Sequence, residues 1–326
     1  MKGIKVFIKP AIRPLLANNP WLAEYGVELV VQPRHAEWII VTRASSLIPH
    51  FLKYPWKRYL VYTNEPRASQ TISKQCRPVP LLPKVEIMNV FTGDVFWHNF
   101  HFLGSYHYDI SGGLEVDIHT PLRPLSSRDL APTDKRSVAA FITYRLDRDT
   151  SCVIDGMNRD LEVTRSSYAM ALYEAGLCDI YGGNWPQGVS REDSGYNSSE
   201  AAIPWWVRKL SVLAGYRYNL CPENTNADYY CTEKLWHAIQ AGTLPIYRGA
   251  GTTIYDVFPR NSFIDLADFD SPESLIHFLQ MLSDTEYLDR INRCREAFNR
   301  CITERRETIA NDPWLHIERI MKRLRP

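Results

Sequence analysis

No uninterrupted apolar run in this chain approaches the roughly 18 residues needed to cross a bilayer, so no spanning helix is expected. The opening residues, MKGIKVFIKP, pass straight into a strand-like run without a basic segment, an apolar core and a cleavage site in succession, so no secretory signal is expected either. Net charge is nearly absent, at +1 with a pI of about 7.6, which leaves no global field to attract nucleic acid. CxxC spacing is missing as well. The seven cysteines (Cys76, Cys152, Cys178, Cys221, Cys231, Cys294 and Cys301) are odd in number and scattered, which predicts reduced thiols in a cytoplasmic protein. There is no internal repeat and no low-complexity tract.

What is present suits two globular domains. The 326 residues, 45% of them hydrophobic, are long for one core and natural for two. Aromatic residues make up 12%, enough for the core and for sugar-stacking surfaces besides. The N-terminal third alternates β-rich runs (Ile4 to Lys9, Val27 to Val31, Trp38 to Thr42, Arg58 to Tyr62) with polar pieces, which predicts a mostly parallel sheet with crossovers. Residues Thr120 to Lys135 mix Pro, Ser and charges without apolar period, and the domain boundary is placed there, giving domains 1–130 and 131–326. The second restarts with a strand Ser137 to Tyr144, a helix from about Arg165 to Ala175 and a strand Cys178 to Tyr181 ending in Gly182-Gly183. Two such doubly wound domains face a cleft at the carboxyl ends of their strands, the default active site.

The densest pattern spans Tyr218 to Asp268. An apolar run, Tyr218 to Cys221, reads as a buried strand, and Glu223-Asn224-Thr225-Asn226 as the loop after it. A helix follows with Leu235, Ala238, Ile239 and Gly242 on one face, then a strand Thr243 to Tyr247 closing on Gly249. Thr232 suits the N-cap and Glu233 the first turn, but Lys234 does not, because the helix dipole disfavours a cation there by up to about 1 kcal/mol. A bound diphosphate would turn that cost into a contact, since helix N-termini present free N–H groups to anions. A solvated lysine at a helix end is the plainer alternative.

The ordered set Glu223-Asn224-Thr225, Tyr230, Thr232-Glu233-Lys234, Pro245, Tyr247, Gly249, Pro259 and Ser262-Phe263-Ile264 resembles the α-1,3/1,4-fucosyltransferases of glycosyltransferase family 10, in particular the bacterial members. The likeness runs closest over Arg217 to Asp268, is thinner over Ser137 to Gly183 and thinnest in the N-terminal domain. It implies an α/β fold of the GT-B type, two Rossmann-like doubly wound domains facing a cleft. It also implies GDP-fucose as donor substrate, a glycan acceptor, inversion at the sugar carbon, no cofactor and no obligatory metal. On this resemblance Arg165 is similar to the family's diphosphate-binding arginine. Asn224, Tyr230, Glu233 and Lys234 match donor-site positions, with Lys234 on the phosphates and Glu233 on ribose or the fucose ring. A guanidinium and an ammonium suit a diphosphate leaving group as its charge develops; Arg165 alone reads equally well as a helix-surface charge. An inverting transfer needs a base for the attacking hydroxyl. Glu65, at a strand end, is similar to the family's catalytic glutamate, although Asn64-Glu65-Pro66-Arg67 departs from wording closer to Glu-Ser-Pro or Glu-Asn-Glu; Asp94 and Glu86 are the alternatives. A same-fold transferase using another nucleotide sugar, and a non-catalytic glycan-binding protein, stay open.

Other signals carry less. Asp147-Arg148-Asp149 has the DxD form that holds divalent cations in other transferases, but lies in an expected loop without the apolar strand that should precede it. His98, His101 and His107 lack a residue at ligand spacing to complete a zinc set, while Trp97 and His98 are candidates for lining the acceptor pocket. Trp185 reads as a loop anchor ahead of a sugar platform, and Trp205-Trp206 as core. The tail sets Trp314, Ile317, Met321 and Leu324 against Arg319, Lys322, Arg323 and Arg325. Such a helix either makes a peripheral contact with an anionic membrane or packs back on the first domain.

Overall fold

The computed structural model describes residues 3–8, 21–66, 74–77, 83–103, 120–130, 136–145, 152–154, 156–192 and 205–325. In chain order they form β1 (Ile4–Ile8), α1 (Trp21–Glu24), β2 (Val27–Leu29), β3 (Trp38–Val41), α2 (Ile48–Lys53), β4 (Arg58–Tyr62), β5 (Gln75–Cys76), β6 (Val85–Met88), α3 (Ser127–Leu130) and β7 (Arg136–Phe141). There follow β8 (Val153–Ile154), β9 (Met157–Asn158), α4 (Glu162–Glu174), β10 (Cys178–Tyr181), α5 (Trp205–Leu213), β11 (Tyr216–Leu220), α6 (Glu233–Gln240), β12 (Leu244–Tyr247), β13 (Ile264–Asp265), α7 (Pro272–Met281), α8 (Asp284–Glu304), α9 (Arg306–Ala310) and α10 (Asp312–Leu324).

Two sheets organise these elements. The first runs β2-β1-β3-β4-β6-β5 and is parallel except where β5 meets β6; the second runs β10-β7-β11-β12-β13 and is parallel throughout. Both are doubly wound, as the GT-B expectation requires. Parallel strands covered on both faces read as continuous apolar runs, because successive residues point into opposite layers. Ile39, Val61 and Ile87 pack with Leu47 and Phe51 on one face of the first sheet, whereas Ile40, Leu60 and Met88 pack on the other.

That second layer is filled by α10, through Ile317, Ile320, Met321 and Leu324. Its cations are spent too. Arg323 pairs with Glu86 and Asp94 at 2.7 and 2.6 Å, Arg319 donates to the Gly93 carbonyl and lies over the Trp97 ring, and Arg325 donates to the Tyr25 carbonyl. The membrane-contact alternative for this helix is therefore corrected: an apolar face sealed in a core has nothing left to insert. At the expected boundary, Leu122 and Leu125 exchange backbone hydrogen bonds with the side chains of Asn299 and Asn292 on α8.

Local details differ from expectation for physical reasons. The helix expected from about Arg165 starts at Glu162, whose amide is taken by Asp160 Oδ1 at 2.7 Å, so Arg165 is its fourth residue rather than its first. Gly242, expected on the face of α6, lies just beyond it at φ +75°, the left-handed conformation that ends a helix. Gly182 has φ +133°, and a Cβ there would come within 2.4 Å of the Ile142 carbonyl oxygen, so this turn admits glycine alone.

Candidate active site

In the second sheet the chain leaves β7 toward β10 on one side and continues in β11 on the other. The carboxyl ends of β7 and β11 thus flank a switch point, where such sheets hold ligands. The loop after β11 carries Glu223 and Asn224. The Asn224 carbonyl accepts from the Leu161 amide at 2.9 Å and Thr225 bridges to Asp160, which ties the start of α4 to this loop.

Glu223 is the centre of a buried polar cluster that the sequence pattern did not single out. It is only 2% exposed and accepts from the Thr232 amide at 2.7 Å, from the Thr232 hydroxyl at 2.7 and 2.8 Å, and from Lys234 Nζ at 2.9 Å. Thr232 holds the N-cap position of α6 with extended backbone, but its hydroxyl serves Glu223 instead of the helix. Lys234 also reaches Thr232 Oγ1 at 2.7 Å and stands 3.6 Å from Glu233, with its side chain 20% exposed. The lysine is therefore not a solvated helix end, because two carboxylates offset the dipole it opposes.

The protonation states follow from the same contacts. Burial works against the charged form of Lys234, but Glu223 and Glu233 outweigh it and hold the ammonium charged above its usual range. Burial raises the Glu223 pKa against the pull of Lys234. Glu233 is raised by burial and lowered by Lys234 and Lys209, and the cations win. Lys209 is the second of these cations, and it was missed from sequence. It is 4% exposed, and its Nζ lies 5.8 and 5.9 Å from the ring centroids of Phe141 and Trp205. The available signal was a lysine in α5, a helix whose other residues are apolar except Arg208 and Ser211.

Arg165, 8% exposed, lies 3.6 Å from Glu162, which Arg145 also approaches at 3.5 Å. Its charge counts among those that lower the Lys234 pKa, so the two cations sense one another. The Arg145 amide donates to Ser166 Oγ at 3.2 Å, anchoring the end of β7 to α4. Arg145, Arg165 and Lys234 thus bring three cations to this end of the sheet, each beside a carboxylate.

Glu65 comes from the first sheet, in the turn after β4, where Thr63 Oγ1 accepts from the Glu65 amide at 3.1 Å and donates to its carbonyl at 2.9 Å. Its exposed carboxylate reaches the segment after β11, where Oε2 accepts from Tyr230 OH at 2.8 Å and Asn224 Nδ2 at 3.1 Å. Burial, then the charge of Glu65, push the Tyr230 phenol well above its ordinary pKa, which keeps it a donor. The structure thus brings together Glu65, Asn224 and Tyr230, and separately Glu223, Glu233 and Lys234 one short loop away. Asp94 and Glu86, the alternatives to Glu65, are both engaged by Arg323.

Trp97 and His98 are not brought to Glu65. His98 stacks on Phe100 at 3.8 Å and its Nε2 lies 2.9 Å from Asp312 Oδ1, while Arg319 covers the Trp97 ring at 4.2 Å. Both line a separate cavity of about 500 Å³ with Tyr229, Arg300, Glu304 and Arg305. Arg319 covers one face of the Trp97 ring and Phe100 one face of the His98 ring. Trp185 is a loop anchor: its Nε1 donates to the Ile142 carbonyl at 2.7 Å. The Asp147-Arg148-Asp149 tripeptide and His107 lie outside the described residues.

His101, Asp312 and His316 are buried together and carry metal-ligating atoms within 4.8 Å of one another. Their geometry suits a polar lock better than an ion. The His101 and His316 rings stack at 4.1 Å with 21° between planes, and an ion bound by both would have to lie in both planes. His101 Nδ1 already contacts Asp312 Oδ2 at 2.5 Å, and His316 Nδ1 contacts Tyr62 OH at 3.0 Å. This cluster fastens the start of α10 to residues 98–101. Among the described residues no helix is long and apolar enough to cross a membrane, and all seven cysteines are buried with free thiols.

Residues 153–310 match the family described as glycosyltransferase family 10 (fucosyltransferase), C-terminal part. Among curated relatives, an alpha-(1,4)-fucosyltransferase of Arabidopsis thaliana is 29% identical over 122 residues, 37% of this chain and 28% of the relative. Alpha-(1,3)-fucosyltransferase B of Drosophila melanogaster is 34% identical over 108 residues, 33% of this chain and 23% of the relative. The matches thus span about a quarter of these relatives' length. A solved alpha1,3-fucosyltransferase with GDP-fucose aligns at TM-score 0.47 and 16% identity over 89% of this chain and 81% of its own.

Proposed function

We propose that this chain, in which residues 153–310 carry the family-10 glycosyltransferase C-terminal domain, moves L-fucose from GDP-fucose to a hydroxyl of an N-acetylhexosamine or glucose unit in a glycan, as an α-1,3/1,4-fucosyltransferase. Residues 1–130 supply the acceptor half and 131–326 the donor half. The observation that carries this reading is the Glu65 carboxylate of the first sheet, held at 2.8 and 3.1 Å by Tyr230 and Asn224 of the second.

In the proposed reaction the acceptor oxygen attacks the anomeric carbon while the bond from that carbon to the diphosphate oxygen breaks, and the configuration inverts. Glu65 takes the hydroxyl proton. Tyr230 and Asn224 orient the carboxylate oxygen they bond, leaving the other oxygen to face the acceptor. Arg165 and Lys234, with Arg145 beside them, neutralise the charge that develops on GDP as it leaves. Glu223 and Glu233 keep Lys234 charged and fixed in direction, and Glu233 also offers a carboxylate to a sugar hydroxyl.

The test is transfer by the purified full chain from GDP-fucose, GDP-mannose and UDP-galactose across an acceptor array, in EDTA. Fucose transfer that persists in the chelator supports the reading. Transfer of another sugar alone, or GDP binding without turnover on any acceptor, overturns it.

A further inference from the structure

We propose that α2 and the turn after it form a docking face for an anionic lipid bilayer. The proposal is independent of the transfer reaction. Helix α2 is apolar on two sides: Phe51, with Leu47 ahead of the helix, packs into the core, while Ile48 and Leu52, one turn apart on the outer side, are 39% and 67% exposed. Trp56 follows at 73% exposed, its ring against Tyr54 at 6.0 Å, and Val31, also exposed at 68%, adjoins Val30 of the same cluster. Among the described residues these include the largest exposed apolar side chains, and Trp56 is the only tryptophan so open.

The charge around them selects the occupant. Residues 30–58 hold five cations (Arg34, Arg43, Lys53, Lys57 and Arg58) against one acid, Glu37, in a chain whose net charge is +1. Among the described residues none of the five makes an ion pair, whereas Arg323 of α10 makes two. Lys57 bonds the carbonyls of Arg34 and Ala36, and Arg58 lies 5.6 Å from the Trp38 ring centroid, so neither contact is to a carboxylate. Aliphatic tips and an indole in a segment that carries five cations and one acid match the interface of a bilayer with acidic headgroups, where tryptophan settles and cations are attracted.

The test is sedimentation of the full chain with vesicles of three parts phosphatidylcholine to one part phosphatidylglycerol, and with phosphatidylcholine alone. Binding is expected to the acidic vesicles and to fall with salt. Leu52→Ser with Trp56→Ser should weaken it at least tenfold, and Arg34→Glu with Lys53→Glu about fivefold or more for each charge lost, at unchanged melting temperature. Lys322→Glu on α10 should leave it unchanged. The proposal is overturned if acidic vesicles do not bind the chain, if the Leu52/Trp56 variant binds as the parent does, if Lys322→Glu abolishes binding, or if the Leu52/Trp56 variant instead converts a dimer in solution to a monomer.

Discussion

The two halves of the candidate centre are built in opposite ways. Around the start of α6, Glu223, Thr232, Glu233 and Lys234 interlock out of water, so every member of the donor half fixes another. Glu65 is exposed and is held from outside its own sheet, by Asn224 and Tyr230. The proposed donor half is therefore preorganised by its own folding, whereas the proposed base is oriented only where the two sheets meet. Changes in the first should cost stability as well as binding, and changes in the second should cost chemistry alone.

The sharpest way to separate the halves is Glu65→Gln. Turnover should fall by about 10²- to 10⁴-fold, the usual yield of a positioned base, with GDP affinity in calorimetry kept within about threefold. Lys234→Ala acts on the other half. It leaves Glu223 and Glu233 without their cation, so GDP affinity should drop about 30-fold and unfolding free energy by about 3 kcal/mol in urea titration. A variant with full stability would break the comparison. Tyr230→Phe keeps the ring that packs against Phe96 and removes one donor to Glu65, so kcat should fall about tenfold with little change in melting temperature.

The smallest effect concerns pH. His237 on α6 is buried among cations, and burial followed by the charge of Lys209 lowers its pKa from 6.5 to about 3. The unfolded chain binds the proton below pH 6.5 and the folded chain does not, so this contribution to stability is complete above that pH and is lost as pH falls toward about 3. At most the slope is about 1.4 kcal/mol per pH unit. Denaturation midpoints at pH 6.5 and 5 should fall less for His237→Gln than for the parent; equal losses would contradict the assignment.

Much of the donor half was legible in the sequence because its elements are local. Strand, loop, cap and helix follow one another from Tyr216 to Gln240, and a lysine where the dipole disfavours it marked the place. Glu223 was visible as a polar loop residue and a member of the ordered motif but without a role, since its importance comes from being buried beneath Thr232 and Lys234, which spacing does not encode. Lys209 and Arg145 reach the site across the sheet from other elements. The tail shows the same limit. An apolar stripe ringed by arginines suits a membrane and a domain core alike, and only the facing sheet, with Glu86 and Asp94 waiting for Arg323, decides between them. His98 and Trp97 were read for their rings, but their contacts to Asp312 and Arg319, more than 200 residues away, were not visible in the spacing.

The central claim is that Glu65 and the second domain's Tyr230 act as one unit, and a double-mutant cycle on kcat/KM for fucose transfer tests it most directly. If Tyr230 works through Glu65, the combined Glu65→Gln and Tyr230→Phe variant should lose no more activity than Glu65→Gln alone. If the two losses multiply, Tyr230 and Glu65 act separately and the account is contradicted.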